Sequence, residues 1–168
     1  MRNYNIPELR KLEGFRCSNL QDDCTCAIYA TRPRTCRAFY CGWRAFKWVR
    51  EPLRPDRSGV IVLARDDKQV AVTITLLEKR ALVAEGLAES IAAAVAAGLV
   101  VDLHIPGPPG YTSARVRADE ALRPAVLARD KPAVLAMLRK LYKSCAAVKP
   151  TPLVPAWRSV SPEAPTSP

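Results

Sequence analysis

The chain has 168 residues, of which 49% are hydrophobic, and its formal net charge is +10. This length and composition suit one globular domain with a small appendage rather than several domains. The longest apolar run, residues 81–101, contains Glu85 and Glu89, so we do not expect a membrane span. Residues 1–16 are polar and lack the apolar core of a signal peptide. We therefore expect a cytoplasmic protein of bacterial type, whose thiols stay reduced.

Composition divides the chain into three parts. Residues 1–57 hold five of the six cysteines, residues 58–145 are aliphatic and regularly patterned, and residues 146–168 are rich in Pro, Ser and Thr. The first part carries twelve Lys/Arg against six Asp/Glu, a net charge of +6 out of +10. A basic balance of this kind attracts polyanions. We predict a cysteine-cluster metal-binding module, a small α+β body and a disordered tail.

The cysteines of the first part are unusually dense, with five of them in 25 residues: Cys17, Cys24, Cys26, Cys36 and Cys41. Clustered thiols in a reducing compartment indicate metal or redox chemistry rather than a disulfide scaffold. Four thiolates satisfy tetrahedral zinc or an iron–sulfur cluster. The spacings match neither paired C-x-x-C ribbons nor ferredoxin runs, and burial as small hydrophobic residues is the alternative.

Pro33 suits the first turn of a helix that would carry Cys36. On a continuous helix Cys36 and Cys41 would point about 140° apart, so they could not face one metal ion. If both are ligands, we expect the helix to end or kink near Phe39 or Tyr40.

Aromatic and basic side chains alternate around these cysteines. The aromatic residues are Tyr29, Phe39, Tyr40, Trp43, Phe46 and Trp48. Such interleaving also describes a surface for single-stranded nucleic acid. We favour the alternative in which Phe39 and Trp43, at i and i+4, pack the cluster against the body, which leaves the basic side chains on a solvated rim.

The second part begins with two predicted strands, residues 59–64 and 70–76, separated by a turn at residues 66–69. They predict an antiparallel hairpin. A helix follows, with Leu87, Ile91 and Val95 on its apolar face, Val83 one turn earlier, and Glu85, Glu89 and Ser90 off the stripe.

Two further strands are predicted at residues 99–105 and 112–117, on either side of a proline- and glycine-rich break. A last helix is predicted over residues 132–143, with Asp130 as its N-cap. The fold class is thus α+β, a β-β-α-β-β-α body with helices on one face and the cysteine module packed on the sheet. Cys145 is expected to be a packing or surface residue rather than a ligand, and the single histidine, His104, a hydrogen-bonded one.

The tail is proline-rich from Lys149 onward and is predicted to be disordered. Trp157 is the one residue in it that could dock, and we favour an exposed position.

The motif Cys-x-Ile-Tyr-x-x-Arg-Pro-x-x-Cys-Arg-x-Phe-x-Cys-x-Trp, residues 26–43, resembles the signature of the YkgJ-type cysteine-cluster proteins. The similarity extends over residues 6–105. These proteins are described as zinc- or iron-chelating and as relatives of flagellin lysine N-methylases. The resemblance implies the ligands Cys17, Cys26, Cys36 and Cys41, and zinc or iron as the cofactor. The density of the cysteines adds Cys24 as a spare or alternative ligand and an iron–sulfur cluster as a form of the iron site.

Family members carry a further C-x-x-C-C-type group ahead of this region. Either this copy diverges, or its true start lies upstream of Met1; translation of the upstream DNA tests the second hypothesis.

We therefore predict a metal-binding protein of the YkgJ type with an unknown protein partner. A nucleic-acid-binding zinc module is one alternative, and a redox or N-methylase-related enzyme is another. The enzyme alternative lacks support from a glycine-rich cofactor loop, from paired carboxylates, or from a Ser/His/Asp set beyond His104.

Overall fold

The computed structural model describes residues 4–23, 25–66 and 70–154. Within them a four-stranded sheet runs in the order β1 Val60–Asp66, β2 Val70–Leu76, β3 Val100–Ile105 and β4 Ala114–Arg117. The outer pairs β1–β2 and β3–β4 are antiparallel, and the central pair β2–β3 is parallel. The protein is therefore a mixed α/β fold, and the hairpin and both later strands lie where the sequence predicts them.

The helices of the described residues are α1 Arg34–Ala38, α2 Gly42–Ala45, α3 Pro55–Ser58, α4 Leu87–Ala96, α5 Asp119–Leu127 and α6 Lys131–Ala146. None of these described helices is long and apolar enough to cross a lipid bilayer.

One hydrophobic core joins the sheet to the longer helices. Its fully buried side chains include Val60, Val62, Val72, Ile74, Leu76, Leu87, Ile91, Val101, Leu103, Leu122 and Leu138. Alternate strand positions supply one face of the sheet to this core, because successive side chains of a strand point to opposite faces. The helices therefore cover one face of the sheet, and burial of this apolar surface supplies most of the fold's stability.

Helix α4 buries the predicted residues Leu87, Ile91 and Val95. Two neighbours behave differently from the prediction. Val83 lies before the helix and is 69% exposed, since Gly86, with a φ of +79°, separates it from the first turn. Ser90 is only 1% exposed, because its Oγ accepts a hydrogen bond from the Arg50 N–H at 3.1 Å.

Helix α5 lies between the predicted last strand and last helix and was not predicted. Leu122 and Val126 are buried on one side of it at helical spacing, but Pro124 interrupts the pattern in the sequence. The N-cap prediction for α6 is confirmed, since Asp130 Oδ1 accepts from the Ala133 N–H at 2.9 Å.

The helix that carries Cys36 ends just before Phe39, close to the end expected if Cys36 and Cys41 bind the same metal ion. Helix α1 stops at Ala38, and both Phe39 and Cys41 have extended backbone before α2 begins. In α2 a Cβ on Gly42 would lie 2.8 Å from the Val62 carbonyl oxygen and from its Cγ1. Close approach to β1 at this point therefore needs glycine.

The residue contacts divide the described chain into two units. The first unit contains residues 4–39, 107–112 and 150–154, and the second contains residues 40–106 and 113–149. Residues 40–57, grouped with the cysteines by composition, thus belong to the unit that contains the sheet.

The first residues of the proline-rich tail pair with the loop at residues 110–112 in the first unit. The Thr112 N–H donates to the Thr151 carbonyl at 2.8 Å, and the Leu153 N–H donates to the Gly110 carbonyl at 2.8 Å. Trp157 and the rest of the tail lie outside the described residues, as do residues 67–69 of the predicted turn.

Candidate metal centre

Cys17 and Cys26 flank a closed loop in the first unit. Leu20 and Cys26 form an isolated antiparallel bridge, and the Leu20 N–H donates to the Cys17 carbonyl at 3.1 Å. Arg16 braces the same loop through its guanidinium, which donates to the carbonyls of Leu20 and Gln21 at 3.3 and 3.2 Å. The backbone of both cysteines is therefore fixed at the base of one loop. Cys24 lies outside the described residues.

A residue from much earlier in the chain fixes the start of α1, the helix that carries Cys36. The Oε1 atom of Glu8 accepts from the Thr35 N–H at 2.9 Å and from the Thr35 hydroxyl at 3.0 Å. The first of these bonds satisfies a free N–H at the start of α1, where the helix itself offers no acceptor. Glu8 thus fixes the position of the helix turn that presents Cys36.

The thiols of Cys17, Cys26 and Cys36 lie in one region of the first unit. Burial raises the pKa of the Cys36 thiol, and the negative charges of Cys17, Glu8 and Cys26 raise it further. A charge acts in this way only over a short range, because water and salt screen longer distances. All three cysteines are partly buried, and no disulfide joins any of the described cysteines.

A buried lysine lies beside these thiols. Lys11 is 7% exposed, and its Nζ donates to the carbonyls of Tyr4 and Leu12 at 2.8 and 3.1 Å. Burial lowers the pKa of Lys11, while the charges of Cys17, Glu13 and Cys36 oppose that change. The ammonium group is therefore close enough to two thiolates to offset part of their negative charge.

The described residues contain no group of three or more His, Cys, Asp or Glu side chains already placed to hold a metal ion. Thiolates are ligands that both zinc and iron accept, so the chemistry of the three thiols of the first unit fits either metal.

The other predicted site residues lie in the second unit. Cys41 directly precedes α2 and is partly buried. Cys145 is buried within α6, and this position favours packing. His104 Nδ1 lies 3.0 Å from the Thr75 hydroxyl, and burial together with Arg115 lowers its pKa to about 4. At neutral pH His104 is therefore an uncharged, hydrogen-bonded residue.

The aromatic residues near the cysteines divide into two groups. Trp43 packs against the hydrophobic core, as predicted, and Phe46 and Trp48 do so too. Phe39, the other residue of the packing prediction, instead meets the ring of Tyr4 edge-on, with centroids 5.0 Å apart. Tyr29 and Tyr40 are instead 64% and 66% exposed. Packing therefore explains only part of the aromatic pattern.

Sequence reasoning did not find the supporting roles of Glu8 and Lys11. Neither residue stands in a pattern with the cysteines, since 27 residues separate Glu8 from its partner Thr35. A chain reversal at residues 6–11 brings both of them into the unit, through the bridge between Ile6 and Lys11. Only the tertiary structure makes this relation visible.

The chain matches no protein-family model, no curated protein and no solved structure, so its function has to be inferred from the site itself.

Proposed function

We propose that this chain is a metal-binding protein of the YkgJ type, in which thiolates hold zinc or iron. Cys17, Cys26 and Cys36 supply three ligands. For the fourth ligand, the family resemblance implies Cys41, with Cys24 as its alternative. The observation that carries the proposal is that the thiols of Cys17 and Cys26 lie close enough to Cys36, within one small unit, to raise the pKa of its partly buried thiol.

The small apolar content of the first unit supports the same proposal. Among its described residues Ile6 is the one hydrophobic side chain that is buried, whereas the second unit contains the whole of the large core. Small units without a core are usually stabilised by disulfides or by a metal ion. The described cysteines form no disulfide, and a reducing cytoplasm would keep them as thiols.

The positive charge near the thiols also supports the proposal of a metal site. Three or four thiolates around a divalent ion carry net negative charge, which is costly to bury unless cations lie near it. The Lys11 ammonium lies near Cys17 and Cys36, and Arg34 is close enough to affect Glu8 beside Thr35. These cations offset the charge that metal binding would bring into the unit.

The test is metal content with a visible absorption spectrum, on protein purified without oxygen and without added metal. About one zinc per chain and no colour would support a zinc module. Iron with broad visible absorption would support an iron–sulfur cluster. Protein that contains neither metal, and that binds neither when each is supplied, would contradict the proposal.

Single variants assign the ligands. We expect Cys36→Ser to lose the metal, because its thiol lies near both other cysteines of the first unit. Cys145→Ser is the matched control and should keep the metal, although its burial in α6 will cost some stability. Cys41→Ser tests the fourth ligand separately, and equal metal content in Cys36→Ser and wild-type protein would rule out Cys36.

A further inference from the structure

We propose that residues 29–37 form a binding surface for single-stranded nucleic acid. The Tyr29 ring would stack on a base, while Arg32, Arg34 and Arg37 would bind phosphates. The surface follows the proposed ligand Cys26 in the chain and includes the position of Cys36, but the inference does not depend on a bound metal. It stands on the charge, the exposure and the geometry of these side chains.

The charge around this surface is of one sign. Residues 24–50 contain six Lys/Arg and no Asp or Glu. Arg34 and Arg37 are exposed, and Arg32 is partly exposed. None of the three forms an ion pair with a carboxylate in the described part of the chain. Their guanidinium groups are therefore available to phosphate oxygens, which they can bind through two parallel hydrogen bonds.

Tyr29 provides the stacking surface. It is 64% exposed, the highest value for an aromatic side chain in the described residues of the first unit. The Arg32 guanidinium lies over its ring, with Cζ 4.1 Å from the centroid. The guanidinium covers one face of the ring, while the residue as a whole stays 64% exposed. An aromatic ring backed by arginine is the arrangement that single-strand-binding proteins use under an unpaired base.

Backbone hydrogen bonds hold this surface in shape. The Tyr29 N–H donates to the Cys26 carbonyl at 3.1 Å, and the Thr31 N–H donates to the Ile28 carbonyl at 3.1 Å. The Arg37 N–H donates to the Pro33 carbonyl at 3.0 Å. Successive turns thus fix the backbone that carries the ring and the three arginines before binding, which lowers the entropy cost of association.

Single-stranded nucleic acid fits these features better than the other polyanions do. A membrane-binding segment needs large apolar side chains to enter the lipid, but Ala27 and Ala30 are the exposed apolar neighbours of Tyr29, and Ile28 is partly buried. An acidic peptide would use the arginines but would leave the ring without a role. A duplex would offer phosphates but keep its bases stacked inside.

The experiment is fluorescence anisotropy with labelled oligothymidylate and oligouridylate of 12 nucleotides, at several salt concentrations. We expect Tyr29→Ala to weaken binding about tenfold with an unchanged salt dependence, because it removes stacking and no charge. Tyr29→Phe should stay within about twofold of wild type. Arg32→Ala/Arg34→Ala should reduce the slope of log K against log salt by about 1.4.

The matched control is Lys140→Ala/Lys143→Ala, which removes the same charge from exposed positions of α6. It should change the affinity by less than about twofold. Equal losses in the control and in Arg32→Ala/Arg34→Ala would show general charge attraction and overturn the proposal. Unchanged binding by Tyr29→Ala would overturn it, as would competition by polyglutamate or by duplex DNA as strong as that by the oligomer.

Metal content measured on the same samples separates this inference from the metal proposal. Tyr29→Ala should retain the wild-type metal content and circular dichroism spectrum. Wild-type protein that holds metal but binds no oligomer overturns this inference alone. Protein that binds the oligomer through Tyr29 but holds no metal supports this inference and contradicts the metal proposal.

Discussion

Polar side chains lie side by side on the face of the sheet opposite the helices. In the sheet register Thr73 pairs with Asp102, and Thr75 pairs with His104. His104 is largely buried, and its ring nitrogen lies 3.0 Å from the Thr75 hydroxyl. Burial disfavours the charged imidazolium, and the nearby Arg115 adds charge repulsion, which together lower the pKa to about 4. At neutral pH this residue is therefore an uncharged structural group.

That lowered pKa predicts how stability depends on pH. Unfolded protein binds a proton at His104 near pH 6.5, whereas folded protein does so only near pH 4. Stability is therefore fully present above pH 6.5 and falls as the pH drops toward 4. We expect wild-type protein to lose about 2 kcal/mol more than His104→Gln between pH 7 and pH 5, measured by urea denaturation. Equal losses in the two proteins would contradict the assignment of a buried neutral histidine.

At the scale of elements, a buried carboxylate joins β4 to α5 and β3. Asp119 is 1% exposed and accepts from the Val101 N–H at 3.2 Å. It also accepts from Arg117 Nε and Nη2 at 3.0 and 3.2 Å. Burial opposes its ionisation, but the Arg117 hydrogen bonds and the Val101 N–H outweigh that effect, so the pKa of Asp119 is lowered.

Loss of this junction should be costly. We expect Asp119→Ala to destabilise the protein by about 2–3 kcal/mol, because the Val101 N–H would stay buried without an acceptor. Glu120→Ala is the control, since Glu120 lies 3.5 Å from the same arginine but its side chain is 72% exposed. Its effect should stay below about 0.5 kcal/mol. Similar losses of unfolding free energy in the two variants would contradict the role of Asp119.

The spacing of apolar residues in the sequence was enough to predict the strands and helices in which those residues recur at one regular interval. The strands β1 and β2 contain runs of β-branched residues, and α4 carries Leu87, Ile91 and Val95 at helical spacing. Helix α5 was missed because Pro124 lies within it, although Asp119 and Glu120 in its first turn favour a helix start. Tertiary packing of Leu122 and Val126 overrides the unfavourable proline.

At the scale of the whole molecule, the sequence identified the cysteines but not the arrangement around them. Their density was visible in the chain, and so was the need for a break between Cys36 and Cys41. The roles of Glu8 and Lys11 depend on a chain reversal that brings distant residues together. No short-range pattern encodes such a contact, because its partners are fixed only when the chain folds.

The unequal distribution of the core between the two units leads to the last prediction. Fully buried apolar side chains are numerous in the second unit, whereas Ile6 is the one example among the described residues of the first. If a metal ion replaces the missing core, its removal should loosen the first unit locally, because its binding free energy contributes to folding there.

Hydrogen exchange before and after chelation measures this effect. We expect the amides of Ile6, Lys11, Leu20 and Ala27, which are all hydrogen-bonded in the first unit, to exchange at least about tenfold faster without metal. The amides of β2 should change by less than about twofold, since the core that protects them does not involve the cysteines. Cys36→Ser protein, which should already lack the metal, would show no further change on chelation. Equal acceleration in both units would mean that the metal stabilises the whole chain rather than the first unit, and no acceleration anywhere would mean that it has no structural role.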